Sequence, residues 1–248
     1  MSGQPSTIAV VTGANRGIGF EIARQLAEHG VHVLLSGRTA DRVSAAAGEL
    51  RGTGLEVDPL LLDVTDEETI ASAVTEVDRR YGRLDILVNN AGIRVEEYGR
   101  KPSEQPLDLW RRTFDTNLFG VVAVTTAFLP LLRRSAAGRV VNVSSLLASL
   151  TAHSDPGSYV YSDTFKSLPA YSASKSAVNS WTVHLAYELR DTPIKVNAVH
   201  PGYTKTDLND GEGDQHVSEG AATSVSMALL DADGPTGTWV HKGRNLPW

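Results

Sequence analysis

Residues 7–30 read TIAVVTGANRGIGFEIARQLAEHG, an apolar run that turns on glycines straight into an amphipathic helix. No other stretch constrains the fold as much. Gly13, Gly17 and Gly19 permit a tight turn, close backbone approach to a pyrophosphate and close packing of helix on strand. The turn also carries Asn15, Arg16 and Ile18. The helix start beyond it offers free N–H groups and a positive dipole end to a phosphate.

The rest of the chain continues the alternation. Strands are expected at 7–12, 31–36, 56–62, 84–89, 139–144 and 194–199, with a last one inside 237–248. Most are nearly continuous in Val, Ile and Leu, which suits strands buried on both faces of a parallel sheet. Helices lie between them: Val43, Ala46, Ala47 and Leu50 fall on one helical face. Thr65 followed by Glu68 reads as a capping box opening the next helix. Such alternation implies right-handed βαβ units. The expectation is an α/β Rossmann fold: one domain over 1–248, with a doubly wound, mostly parallel sheet of about seven strands and helices on both faces. Two irregular stretches break the rhythm, 149–170 and the polar TKTDLNDGEGDQH at 204–216.

Composition narrows the function. The net charge is −6 with both signs scattered, so a nucleic-acid surface, which needs clustered Lys and Arg, is not expected. There is no cysteine, which excludes disulfides, thiolate chemistry and Cys-based zinc sites. The seven histidines show no paired ligand spacing, so no metal is expected. The N-terminus lacks a basic region and its apolar run is only IAVV, too short for a signal peptide. Leu118–Leu132 is broken by Gly120, Thr125, Thr126 and Pro130 and falls short of the ~18 apolar residues of a membrane span. A soluble, cytoplasmic protein with no membrane partner is expected.

The end of the second strand reads LLSGRTADR, with Arg38 and no acid. An acid there would take the ribose 2′-hydroxyl of NAD; a guanidinium suits a 2′-phosphate. Arg16 could add a second positive charge, so NADP(H) is the expected cofactor. Three tyrosines, Tyr159, Tyr161 and Tyr171, then compete for a chemical role. Only Tyr171 has a lysine four residues on, Lys175, one helical turn away on the same face. An ammonium there favours phenolate and should lower the tyrosine's pKa. In the helix that follows, Ala177, Trp181, Leu185 and Leu189 read as a buried stripe, and Trp110 and Trp181 as core rather than site.

TGANRGIG, NNAG (89–92), FDTNLFG (114–120), RVVNVSS (139–145), YSASK (171–175) and HPGYTKT (200–206) occur in the order seen in the short-chain dehydrogenase/reductase family, which the chain resembles from about residue 7 to 206. The glycine spacing is that of the family's shorter reductases. The resemblance implies that Tyr171 is the general acid in carbonyl reduction, or the base in alcohol oxidation. Lys175 would tune it and bind the nicotinamide ribose. Ser145 would hydrogen-bond the substrate oxygen, its neighbour Ser144 being left a strand-end hydrogen bond. Asn117 would hold a water linking Lys175 to solvent. Asp63 would meet the adenine amino group and Val64 the ring, while Asn90, Ala91 and Gly92 would line the ribose and pyrophosphate side. Pro201, Gly202, Thr204 and Thr206 resemble the turn that holds the nicotinamide amide and phosphates.

One departure stands out. Tyr171 follows Ser145 by 26 positions, about twice the gap in most short relatives. Monomeric carbonyl reductases and plant terpenoid or alkaloid ketone reductases also carry an insertion here. It could roof the pocket or cover a face used for assembly, so a monomer and a homo-oligomer both stay open. Tyr159, Val160, Tyr161, Phe165 and Leu168 make it too apolar for a plain surface loop. The 204–216 stretch suits a substrate-closing lid. The expected activity is NADPH-dependent, reversible reduction of a small-molecule ketone or aldehyde to an alcohol. A β-ketoacyl or polyketide-type ketoreductase and a non-catalytic NADP(H)-sensing protein are the alternatives.

Overall fold

Residues too apolar to leave exposed on either side must be covered on both, and the sheet is built from such segments. The computed structural model describes residues 7–248; residues 1–6, on which part of the signal-peptide reading rests, lie outside the described residues. The first half runs β1 (Ile8–Val11), α1 (Gly17–Glu28), β2 (His32–Gly37), α2 (Ala40–Gly52), β3 (Val57–Leu61), α3 (Glu67–Tyr81), β4 (Ile86–Asn89), α4 (Leu107–Phe114), a π-helical turn (Asp115–Phe119) and α5 (Gly120–Leu132). The second half adds β5 (Arg139–Val143), α6 (Leu150–Ser154), α7 (Asp163–Lys166), α8 (Pro169–Glu188), β6 (Lys195–Val199), α9 (Val217–Ala228), β7 (Trp239–His241) and β8 (Arg244–Asn245). The strand order is β3-β2-β1-β4-β5-β6-β7-β8. All neighbours are parallel except β7 and β8. This is the doubly wound Rossmann arrangement expected, with one strand more than about seven. The extra strand forms because Lys242 and Gly243 take φ of 47° and 76°, the left-handed pair of a tight hairpin turn.

Successive side chains of a strand point to opposite faces, and β1 shows the consequence. Ala9 and Val11 enter a core with Ile22 and Leu26 of α1, Val43 and Leu50 of α2 and Val225 of α9. Ile8 and Val10 enter the opposite core with Ile70 of α3, Val124, Phe128 and Leu131 of α5 and Leu185 of α8. The predicted face of α2 is buried throughout. At the edge, β3 carries Pro59 and exposes Leu61, as an unpaired outer strand can.

Two local expectations are corrected. The cap of α3 is Asp66, whose Oδ1 accepts from the N–H groups of Glu68 and Thr69 at 2.9 and 3.4 Å. Thr65 instead donates its hydroxyl to Asp63 at 2.8 Å, because the helix starts one residue later than a Thr65 box requires. On α8 the buried face passes through Ser174, Lys175, Val178, Asn179, Thr182, Leu185 and Leu189, leaving Ala177 and Trp181 half-buried at its border. By length and composition alone Leu107–Leu132, a continuous helix of 26 residues with mean hydropathy 1.4 over its most apolar 18-residue stretch, could cross a membrane, but it is a core helix of this fold. Its apolar face lies on the sheet through Val121, Val124, Phe128 and Leu131.

Phe128 is fully buried, while Phe119 on the same helical run is 58% exposed. Phe128→Ala should cost about 3–5 kcal/mol of unfolding free energy. Phe119→Ala should change it by under about 0.5 kcal/mol. Urea unfolding followed by circular dichroism measures both.

Candidate active site

After β1 the chain leaves toward one face of the sheet, and after β4 toward the other. A crevice opens between them, as it must at a switch in strand order. It is a cleft of about 1110 Å³. Gly13, with φ of 61°, sits so close to the β4 end that an added Cβ would lie 2.9 Å from Ala91 Cα. The two strand ends are clasped: Thr12 Oγ1 accepts from the N–H groups of Asn90 and Ala91, both at 3.0 Å. Asn90 Nδ2 donates back to the carbonyls of Thr12 and Gly13 at 2.9 and 3.1 Å. The Asn90 side chain therefore braces the glycine turn while the Asn90–Ala91–Gly92 backbone lines the cleft. Arg16, the N-cap of α1, gives no side-chain cap, so the first-turn N–H groups face an anion site without competition.

Asn15, Gly17, Ile18, Gly19, Arg38, Asp63 and Val64 line this half of the cleft. Arg38 follows Gly37, the last residue of β2, is exposed, and has no partner among the described residues. Arg16 also lines this half of the cleft, its exposed guanidinium paired with Asp207 at 2.6 Å. Asp63 accepts from the backbone and hydroxyl of Thr65 at 3.0 and 2.8 Å, which fixes its carboxylate at the cleft wall. A long glycine-lined cleft, an anion-seeking helix start and an arginine without an acid at the β2 end fit a phosphorylated dinucleotide.

At the other end of the cleft, β5 delivers Ser144 and Ser145, and α8 delivers Tyr171 and Lys175. Ser145 and Tyr171 both line this end of the cleft, and the Ser145 hydroxyl pulls the pKa of the tyrosine down. Ser144 points away, its hydroxyl donating to the Lys175 carbonyl at 3.5 Å, as neighbours on an extended backbone require. Lys175 Nζ donates to the Val143 carbonyl at 2.8 Å and lies 5.8 Å from the Tyr171 ring centre. Burial pushes Lys175 down to about 8. The direction expected for Tyr171 is reversed. Burial pushes it up to about 12, against the lowering pull of the Ser145 hydroxyl and the nearby Arg94. The protein environment alone thus favours the phenol.

Asn117 sits fully buried in the π-helical turn, a feature common at functional sites. Its Oδ1 accepts from Ile93 N–H at 2.8 Å, and its Nδ2 donates to the Ile93 carbonyl and Ser174 Oγ at 2.9 and 3.1 Å. Both amide donors are used, leaving one lone pair on Oδ1. That oxygen and Lys175 Nζ converge on Gly92, each 3.4 Å from where its Cβ would be. Pro201, Gly202, Thr204 and Thr206 also line the cleft. The Thr204 hydroxyl is taken up by Gln215 Nε2 at 2.9 Å, and Thr206 by Asn209 Oδ1 at 3.0 Å.

Neither irregular stretch is structureless. Residues 149–170 contain α6 and α7 and bury Val160 and Leu168 against Leu147 and Ala152. Phe165 and Leu168 line the cleft, while Tyr159 and Tyr161 are about half exposed. Tyr159, Phe165 and Tyr203 form an aromatic cluster with ring centres 5.6–6.4 Å apart. Trp110 and Trp181 do not line the cleft.

Several contributors were given no role by the sequence. Arg94 donates to the Leu208 carbonyl at 2.8 Å and the Glu96 carbonyl at 2.9 Å, pairs with Asp210 at 3.1 Å, and covers the Tyr98 ring. It pins the 207–210 turn to the loop after β4. His200 Nδ1 accepts the Leu146 N–H at 3.2 Å, fixing the residue beside Ser145, and burial pushes its pKa down to about 3. The loop has no periodicity to mark Arg94, Glu96 or Tyr98; the charged run RVEEY is the one signal it offers.

The sequence pattern described as short chain dehydrogenase matches residues 7–216. The chain is 36% identical over 232 residues to the "Short-chain dehydrogenase anuI" of Penicillium roqueforti, covering 92% of this chain and 90% of that one. The solved structure of salutaridine reductase from Papaver somniferum superposes with a TM-score of 0.81 at 30% identity, covering 94% of this chain and 99% of that one. A gluconate 5-dehydrogenase from Burkholderia cenocepacia, solved with NADP and tartrate, also gives 0.81, at 26% identity, covering 95% and 92%. With the glycine-turned crevice and the tyrosine–lysine helix at its end, these likenesses mean that the chain belongs to the short-chain dehydrogenase/reductase family, whose members are oxidoreductases that bind NAD(P).

Proposed function

We propose that the protein reduces a small-molecule ketone or aldehyde to the alcohol with NADPH, reversibly. The observation that carries this is the meeting of Tyr171, Ser145, Lys175 and Asn117 at one end of a dinucleotide-sized cleft. When bound, NADPH supplies the hydride. Tyr171, held as the phenol, donates its proton to the carbonyl oxygen as negative charge grows there. Ser145 offers that oxygen a hydrogen bond fixed in advance, and His200 holds the adjoining backbone still. Lys175, protonated below about 8, would hold the ribose hydroxyls of the bound cofactor, and the free lone pair of Asn117 would take a water beside it. Phe165, Leu168, Leu147 and Tyr203 wall the substrate end with apolar surface and keep water from it. Segment 204–216, tied down through Arg94, serves as the lid. The similarity to salutaridine reductase supports carbonyl reduction, and the neighbour solved with NADP supports the cofactor.

Incubation with NADPH and a panel of aromatic ketones, terpenoid ketones, quinones and β-keto esters tests the reading. NADPH binding without oxidation across that panel would overturn it. Tyr171→Phe should lower kcat by about 10²–10⁴-fold while NADPH still quenches protein fluorescence. Arg38→Ala should weaken NADPH by roughly ten- to a hundredfold and leave NADH nearly unchanged, the loss of a charge-assisted contact to the 2′-phosphate. Fluorescence titration with the two cofactors measures that difference.

A further inference from the structure

We infer that Glu96 is a positioning residue for Tyr171: reaching across from the loop after β4, its carboxylate caps the helix that carries the tyrosine and sets a negative charge beside the phenol. The inference rests on the reading of Tyr171 as the proton-transferring group. It starts from a deficiency of α8. The N-cap of that helix is Leu168, which has no side-chain acceptor, and Pro169 follows it with no N–H. Leu168 is not free to be a Ser or Asp, because its side chain is buried with Leu147 and Val160 and walls the cleft. The cap therefore comes from a distance of 75 residues: Glu96 Oε1 accepts the Tyr171 N–H at 2.8 Å. The hydrogen bond falls on the main chain of Tyr171 itself, so the cap sets the height and rotation from which the phenol reaches Ser145.

Glu96 is only 3% exposed, and its other oxygen, Oε2, is buried without a partner. Burying a carboxylate with one oxygen unsatisfied costs stability, and a neutral acceptor would cap the helix at less cost. The charge is thus the feature a purely structural cap would not need. Its backbone is held by Arg94, which also ties Leu208 and Asp210. The charged and titratable groups that act on the Tyr171 phenol are Arg94, Glu96 and Tyr98 from the loop after β4 and Tyr159 from the 149–170 segment, with Lys175 on α8 itself 5.8 Å from the ring centre. Arg94 favours the phenolate; Glu96 opposes it. Removing the Glu96 charge therefore lowers the tyrosine's pKa.

Glu96→Gln keeps an oxygen for the Tyr171 N–H and removes the charge; Glu96→Ala removes both. Alcohol oxidation with NADP⁺ needs the phenolate, so its rate climbs with pH below the Tyr171 pKa, which burial holds at about 12. For Glu96→Gln that climbing limb should move to lower pH, giving higher activity than the parent at the low end; an unmoved limb, or lower activity there, overturns the inference. For Glu96→Ala, kcat should drop by about ten- to a hundredfold with NADPH affinity retained, as misplacement of a reacting group does. Parental kcat in Glu96→Ala overturns it as well. Should Glu96→Ala fail to fold, the limb of Glu96→Gln decides alone. Tyr171→Phe is run beside them. Turnover that persists there removes the proton-transfer reading and this inference with it, whereas a dead Tyr171→Phe with unaltered Glu96 variants removes this inference alone.

Discussion

The clasp between Thr12 and the Asn90–Ala91 backbone fixes the distance between the ends of β1 and β4, and the rest of the site is measured from it. Those two strands are neighbours whose connections leave to opposite faces, so their ends must part. How far they part is set by the hydroxyl of Thr12 and the missing Cβ of Gly13. A second layer of polar contacts carries the same register outward. Asn89 Nδ2 reaches Thr125 of α5 and Asn142 of β5 at 2.9 and 2.8 Å, and Asn142 Nδ2 reaches Thr182 of α8 at 2.9 Å. Buried amides are tolerated only when satisfied, and this chain of them ties the strand ends to the helix bearing Tyr171 and Lys175.

Burial acts on the two chemical groups of that helix in opposite senses. It lifts Tyr171 to about 12 and lowers Lys175 to about 8, because in each case the charged form is the one that loses solvation. At neutral pH the pair stands as phenol and ammonium. The lysine's charge is kept tolerable by the Val143 carbonyl, at the end of β5. The tyrosine is left under the influence of whatever surrounds it, so small changes in its neighbours are felt at its hydroxyl.

Much of this was legible in the sequence, for definable reasons. Strands buried on both faces are monotonously apolar, and every predicted strand has a counterpart. The glycine turn, Tyr171 with Lys175, and Ser145 are local patterns whose spacing survives folding. What the sequence hid depends on phase or on distance. Thr65 and Asp66 are equally good caps on paper; a start one residue later chose Asp66. The burial of α8 follows its twist across β5 and β6, which put Ser174, Lys175 and Asn179 inward where apolarity alone pointed to Ala177 and Trp181. Arg94, Glu96 and His200 act across separations of 54 to 114 residues, through hydrogen bonds that leave no periodic trace. The sign for Tyr171 was misjudged because pairing with one lysine was weighed without the cost of enclosure.

The π-helical turn at 115–119 fits one residue more into its coil than an α-helix would, and so resets the angular phase of everything after it. An α-helix advances roughly 100° per residue. Upstream of the turn, Thr113 is buried; downstream, Val121, Val124, Phe128 and Leu131 lie on the sheet. The two sets can face inward together only because the turn supplies that offset. Loss of a single residue there would swing the long helix by more than a quarter of a revolution, pointing Phe128 away from its core. The amide that holds Ile93 beside the cleft, Asn117, and the seam on which one of the two cores is aligned therefore lie in the same five residues, which makes this segment intolerant of length change even where it tolerates a change of side chain.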